Sequence, residues 1–293
     1  AGFLNPRVFV PKANEKQKKE QARQDIRAIK EKARNDAFQV SYNLKRALVH
    51  ENPVKLTKLE QKEQKRRERE VRRLAYEASP KRYTVLEEIW NSITHGIGTG
   101  LSIAALVILV VRAVYLAPDS MRTLYVTGYA VFGASLILLY LMSTLYHALT
   151  PYGAKKVFSI FDHSSIYILI AGTYTPYCLT ALQGAVGWTL FGIIWTLALL
   201  GVVFYAVFGN KLRYLSVIMY ILMGWLIIFA IKPMKTAVSK DSLVFLVSGG
   251  AAYTIGVIFY ALKKVRYAHC IWHLFVLAGS ILHFFSLFFL LKS

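Results

Sequence analysis

Polar and apolar residues are not mixed evenly along this chain. From about Thr84 onward they separate into seven long apolar stretches, at residues 92–115, 123–147, 162–182, 187–208, 212–231, 243–262 and 269–291. Each is near the roughly 20 residues that a helix needs to cross the hydrocarbon layer of a bilayer. Short connections rich in turn formers separate them, among them Pro118, Pro151-Tyr152-Gly153, Gly184, Gly209-Asn210 and Pro233. The pattern predicts an all-α membrane protein, a seven-helix transmembrane bundle over residues 84–293. An odd number of spans puts the two ends of the bundle on opposite sides of the membrane.

Residues 1–83 follow another rule. Between residues 15 and 50 the chain is rich in Lys, Glu, Gln, Arg and Ala, all good helix formers. Asn52-Pro53 interrupts this run, because the residue before a proline avoids the helical region. Thr57 with Glu60 three positions on has the spacing of a capping box, and Ser79-Pro80 ends the second charged run. Leu56, Leu59, Val71 and Leu74 do not sustain the heptads of a coiled coil. The expectation is a charged arm, helical or disordered and facing water.

Charge follows the same division. Residues 1–90 carry 23 of the 36 Lys and Arg and 13 of the 16 acids; the acids beyond them are Asp119, Asp162 and Asp241. A net charge of +20 in a soluble protein would suggest nucleic acid. Beside a bilayer, basic segments are drawn to anionic headgroups, so the expected partners are membrane lipids and nucleic acid is not expected. Lys and Arg in the short loops set the orientation. One side carries Lys155, Lys156, Lys211, Arg213, Lys263, Lys264 and Arg266 together with the arm; the other carries Arg122, Lys232, Lys235 and Lys240. The N-terminus is therefore expected in the cytoplasm, in a multi-pass protein of the plasma membrane. The start of the chain lacks the apolar core of a signal peptide, and its acids argue against a transit peptide. Cys178 and Cys270 imply no disulfide framework.

Candidate chemistry gathers at one depth. His269 and His273 stand one helical turn apart and share a face, the spacing with which one helix offers two imidazoles to a metal. With that orientation, Ser143 and His147 end the second span on the cytoplasmic side, Asp162 opens the third there, and Glu88, Asn91 and His95 form a stripe on the first turns of the first. Three imidazoles and an open position make the donor set of catalytic zinc. His147, His269 and His273 are the predicted ligands, Asp162 the group that holds the metal-bound water or acts as general base, and Ser143 the oxyanion donor. Glu88, Asn91 and His95 are expected to support the ligands.

Taken singly, these residues have plainer roles. Asp162 reads as a helix N-cap, Ser143 as a back-bond to its own helix, His147 as a complement to a helix dipole and His95 as a hydrogen-bonded bundle residue. His163 is expected to point away from Asp162 and to pack at an interface. Cys270 is offset from the two histidines that flank it, and His283 lies about 15 Å deeper than His273.

Several stretches together resemble the hemolysin III proteins, the bacterial branch of the progestin and adipoQ receptor family. They are Glu87-Glu88-Ile89-Trp90-Asn91-Ser92-Ile93-Thr94-His95-Gly96, Ser143 to His147, Phe161-Asp162-His163-Ser164-Ser165-Ile166-Tyr167, Ala171 to Pro176, His269-x-x-x-His273, and Leu274 to His283. The resemblance covers about seven tenths of the chain and leaves residues 1–83 outside. It implies seven spans with a cytoplasmic N-terminus and a zinc ion on His147, His269 and His273, with Asp162 and Ser143 as the family's Asp and Ser. It also implies hydrolysis of lipid amides such as ceramides, or lipid sensing. The family's name implies a different activity, cytolysis or control of membrane fluidity with a structural zinc. A transporter is disfavoured, since the spans lack a chain of ionisable residues at mid-membrane.

Overall fold

In a computed structural model the described residues are 83–262 and 265–291, with positions 64–71, 73 and 74 and a few isolated ones before them. Residues 1–80 and 81–293 form two separate units. In the first, residues 64–71 are helical and largely exposed. The expected capping box at Thr57 and Glu60 lies outside the described residues.

All regular structure among the described residues of the second unit is helical. Helix α1 (Val85–Leu116) is followed by α2 (Arg122–Ala148), α3 (Tyr152–Pro176) and a π-helical turn (Tyr177–Ala181). Then come α4 (Ala185–Phe208), α5 (Arg213–Gly224), a 3-10 turn (Leu226–Ala230), α6 (Ile231–Ala237), α7 (Lys240–Ala261) and α8 (Ala268–Leu290). Six segments are long and apolar enough to cross a membrane: α1, α2, α4, the stretch Tyr214–Ala237, α7 and α8. Their outer faces are apolar too. Leu199, Val203 and Val207 on α4 are 61–70% exposed, a surface that suits lipid and would drive aggregation in water. This is a multi-pass membrane protein.

Local chemistry sets the helix ends. Thr84 caps α1 through its hydroxyl, which accepts the Glu87 N–H at 3.3 Å, while the Glu87 carboxylate accepts the Thr84 N–H at 2.9 Å. Two orphan donors are satisfied at once. Gly184, at φ 76°, turns the chain into α4 in a region that favours glycine.

Two boundaries differ from the sequence expectation. The third helix starts at Tyr152, not at Asp162, so Asp162 sits in its third turn and caps nothing. Pro151, with its fixed φ, takes the capping position instead. The stretch expected as one span over 212–231 is broken at Trp225–Ala230 and runs on to Ala237. Unpaired backbone is costly away from water, and here the Tyr174 hydroxyl meets it. The hydroxyl accepts the Ile227 N–H at 2.8 Å and faces the carbonyls of Met223 and Gly224 at 3.0 and 2.9 Å.

Helix α1 packs on α2, α2 on α3 and α3 on α4, while α8 packs on α7 and closes back on α1. Tyrosines pin α8 in place. Tyr129 donates to the Leu287 carbonyl at 2.8 Å, Tyr140 to Ser280 Oγ at 2.7 Å, and Tyr177 pairs with Ser286 Oγ at 2.6 Å. These bonds from α2 and the π-helical turn after α3 hold the helix that carries His269 and His273.

Candidate metal centre

The ligand nitrogens of His147, His269 and His273 lie within 4.8 Å of one another. Two of the rings come from successive turns of α8, and the third from the last turn of α2. His147 and His273 are buried and His269 is half-buried.

Each buried ring is held by its Nδ1. His147 Nδ1 meets Glu88 Oε2 at 2.6 Å, and the other oxygen of that carboxylate meets Lys155 Nζ at 2.6 Å. His273 Nδ1 lies 3.2 Å from the Asn91 carbonyl and 3.3 Å from Thr94 Oγ1. The Asn91 carbonyl can only accept, so that Nδ1 carries the proton and Nε2 is left with a lone pair. Nε2 of His147 is buried with no hydrogen-bond partner. A buried, unpartnered imidazole nitrogen is costly unless something binds it. Carboxylate or carbonyl on Nδ1 with a free Nε2 is how metal-binding histidines are oriented. The donor set suits a metal.

His95 stacks on His273, with ring centroids 3.6 Å apart, and neither of its nitrogens has a partner. The Asn91 side chain is fully buried and likewise unpartnered. Of the predicted supporting stripe, Glu88 reaches a triad ring by its side chain, Asn91 by its backbone and His95 by stacking.

Ser143 and Asp162 line one cavity with His95, His269 and His273. Ser143 Oγ is buried and free of partners, so the back-bond to its own helix is absent. Asp162 does not point away from its neighbour: its Oδ2 lies 3.3 Å from His163 Nδ1, which also meets the Ser159 carbonyl at 2.9 Å. His163 does pack at an interface, stacked on Tyr205 of α4. Cys270 is a free thiol outside the triad. The cavity holds about 160 Å³, and its wall is mostly apolar; Ile170, Leu246, Val247 and His283 line it together with His269 and His273.

Three contacts escape a reading of sequence alone. Tyr83 stacks on His269 at 4.9 Å. Lys155 completes the Glu88 pair. Glu87 accepts the N–H of Tyr267 at 3.0 Å through its Oε1. Tyr267 precedes α8 at φ 60°, an uncommon conformation for a residue with a side chain, so this contact fixes where α8, and with it His269, begins. The Thr84-x-x-Glu87 capping spacing was a signal for Glu87; Tyr83 and Lys155 left none.

A family model described as haemolysin-III related matches residues 83–284, a span that takes in every residue of the site. The chain belongs to the hemolysin III family. It is 48% identical over 205 residues to Hemolysin-3 of Bacillus cereus, covering 70% of this chain and 92% of that protein. The Hemolysin-3 homolog of Bacillus subtilis is 46% identical over 207 residues, covering 71% of this chain and 95% of the relative. Monocyte to macrophage differentiation factor of Homo sapiens is more distant, at 26% over 163 residues, 54% of this chain and 67% of that protein. No solved structure matches. The family model begins at residue 83 and leaves the residues before it outside the match.

Proposed function

We propose that this hemolysin III protein is a zinc-dependent hydrolase of lipid amides, with its active site at the cytoplasmic end of a seven-span bundle and its N-terminus in the cytoplasm. In this reading α3, the most polar of the long helices, is the seventh span. The supporting observation is the buried, unpartnered Nε2 of His147 among three histidines, beside an apolar cavity that also holds Ser143 and Asp162. Zinc is the metal that fits three neutral imidazoles with one position left open.

When bound, zinc supplies a Lewis acid for a carbonyl oxygen and acidifies water at neutral pH. The protein's part is orientation and proton movement. Glu88 and the Asn91 carbonyl hold two rings with Nε2 directed inward. Asp162, steadied by His163, takes a proton at Oδ1 or Oδ2 from the water that adds to the amide carbonyl, and returns it to the amine nitrogen as the C–N bond breaks and the carboxylic acid is left. The Ser143 hydroxyl donates to the developing oxyanion. The apolar wall takes the acyl chain and excludes water.

The first test is zinc content of the purified protein by elemental analysis. One zinc per chain is expected, and none in His273→Ala; a native protein without zinc would overturn the reading. Asp162→Asn is then expected to keep its zinc and to lose about 100-fold or more in ceramide turnover, as loss of a general base does.

A second reading is carried by the relatives' name, Hemolysin-3: a cytolytic or membrane-fluidity protein with zinc as a staple. Leakage of dye from liposomes caused equally by native protein and by Asp162→Ala would favour it over the hydrolase.

A further inference from the structure

The cavity below the triad has two polar poles and an apolar middle. Three of the residues that line it carry a buried polar atom without a hydrogen-bond partner: His95 and Ser143 beside the triad, and His283 at the far end. The hydroxyls between them are already occupied. Tyr253 pairs with Ser280 at 2.7 Å, Tyr177 with Ser286, Tyr174 with the broken backbone after α5, and Thr173 with the Leu169 carbonyl at 2.8 Å. The first pole belongs to the centre already described, whereas the second has no part in it.

His283 is 7% exposed. Its Nε2 lies 3.2 Å from the Leu246 carbonyl of α7. A carbonyl can only accept, so Nε2 carries the proton and Nδ1 presents a bare lone pair. No group among the described residues donates to that nitrogen. The room for the ring is built in as well, because Gly249 faces it and a Cβ there would collide with His283. A buried acceptor left without a donor costs about 1–3 kcal/mol. The ring stands in α8 ten residues beyond His273, about 15 Å along the axis at about 1.5 Å per residue.

We infer that His283 is a second recognition point in the cavity, accepting a hydrogen bond from a hydroxyl carried on the apolar chain of the ligand, about 15 Å from the group held at the triad. The ligand class is thus a hydroxylated long-chain lipid rather than a plain one. This rests on the proposal that the cavity takes a lipid chain, and it adds what distinguishes one chain from another.

The test uses the full chain in nanodiscs and two probes, octadecanoic acid and the same acid hydroxylated two-thirds of the way along. Calorimetric titration is expected to show the hydroxylated acid binding about tenfold more tightly, the effect of one hydrogen bond to a buried acceptor. His283→Phe should bring the two affinities together and leave that of the plain acid unchanged. An independent readout needs no variant: in 15N-histidine-labelled protein, the Nδ1 resonance of His283 should move with the hydroxylated acid and stay with the plain one. Equal affinities in the native protein, as expected if water alone serves Nδ1, overturn the inference. So does a preference that survives in His283→Phe, or an Nδ1 resonance that ignores the hydroxyl. If neither acid binds, the lipid-cavity reading itself fails, and the inference with it.

Discussion

Glu88 shares one carboxylate between two partners, His147 Nδ1 and Lys155 Nζ, each at 2.6 Å. Its charge favours the tautomer that leaves Nε2 of His147 available, and its geometry fixes the plane of the ring. Such partners of metal-binding histidines are worth about 10–100-fold in metal affinity. Glu88→Gln is therefore expected to weaken zinc binding by about that factor in competition with a chromophoric chelator, without unfolding the bundle. Unchanged affinity would mean that Glu88 serves only to join α1 to α3. The 3–4 spacing of Glu88, Asn91 and His95 made this face visible in the sequence. Lys155 was not visible, because a lysine in a loop-like Gly-Ala-Lys-Lys stretch reads as a marker of orientation. Asn91 was visible for its side chain, yet its backbone carbonyl is what reaches His273. Backbone atoms carry no residue code, so sequence cannot single them out.

At the scale of elements, the broken helix after α5 is the most demanding feature. The Tyr174 hydroxyl serves the Ile227 N–H and the Met223 and Gly224 carbonyls together. Tyr174→Phe keeps the ring and strands those groups, at a cost of about 1–3 kcal/mol. It should unfold several degrees lower in detergent melts than native protein, while Tyr115→Phe, on an exposed tyrosine, should melt as native. Equal melting of both variants would show that the break needs no such support. Sequence showed a continuous apolar run here, because hydropathy reports where lipid is tolerated and not whether each backbone group finds a partner. The start of α3 was hidden for a related reason. Its first ten residues mix Gly, Lys and Phe and so lack the apolar signature, although the helix is continuous from Tyr152.

At the scale of the molecule, the division at residues 80–81 separates two kinds of chain. The basic arm is proposed to lie against anionic headgroups on the cytoplasmic face, each Lys or Arg near the surface adding about 1 kcal/mol. A chain beginning at Lys81 is expected to insert and to bind zinc at the native stoichiometry, since the three histidines and the described groups that hold their rings all lie beyond that point. Loss of zinc on truncation would instead tie the arm to the site.

Sequence by itself determined the multi-pass membrane class, the family, and the face of α8 that presents His269 and His273 together. Apolar runs and the 3.6-residue repeat act locally, and a string of letters records them in full. It did not decide which ring nitrogen of each histidine is occupied, that His163 turns toward Asp162, or that His283 ends the cavity with an unpartnered acceptor. Those depend on helices far apart in the chain arriving within hydrogen-bond reach. Packing sets such distances to a fraction of an ångström, whereas hydropathy sets only the depth.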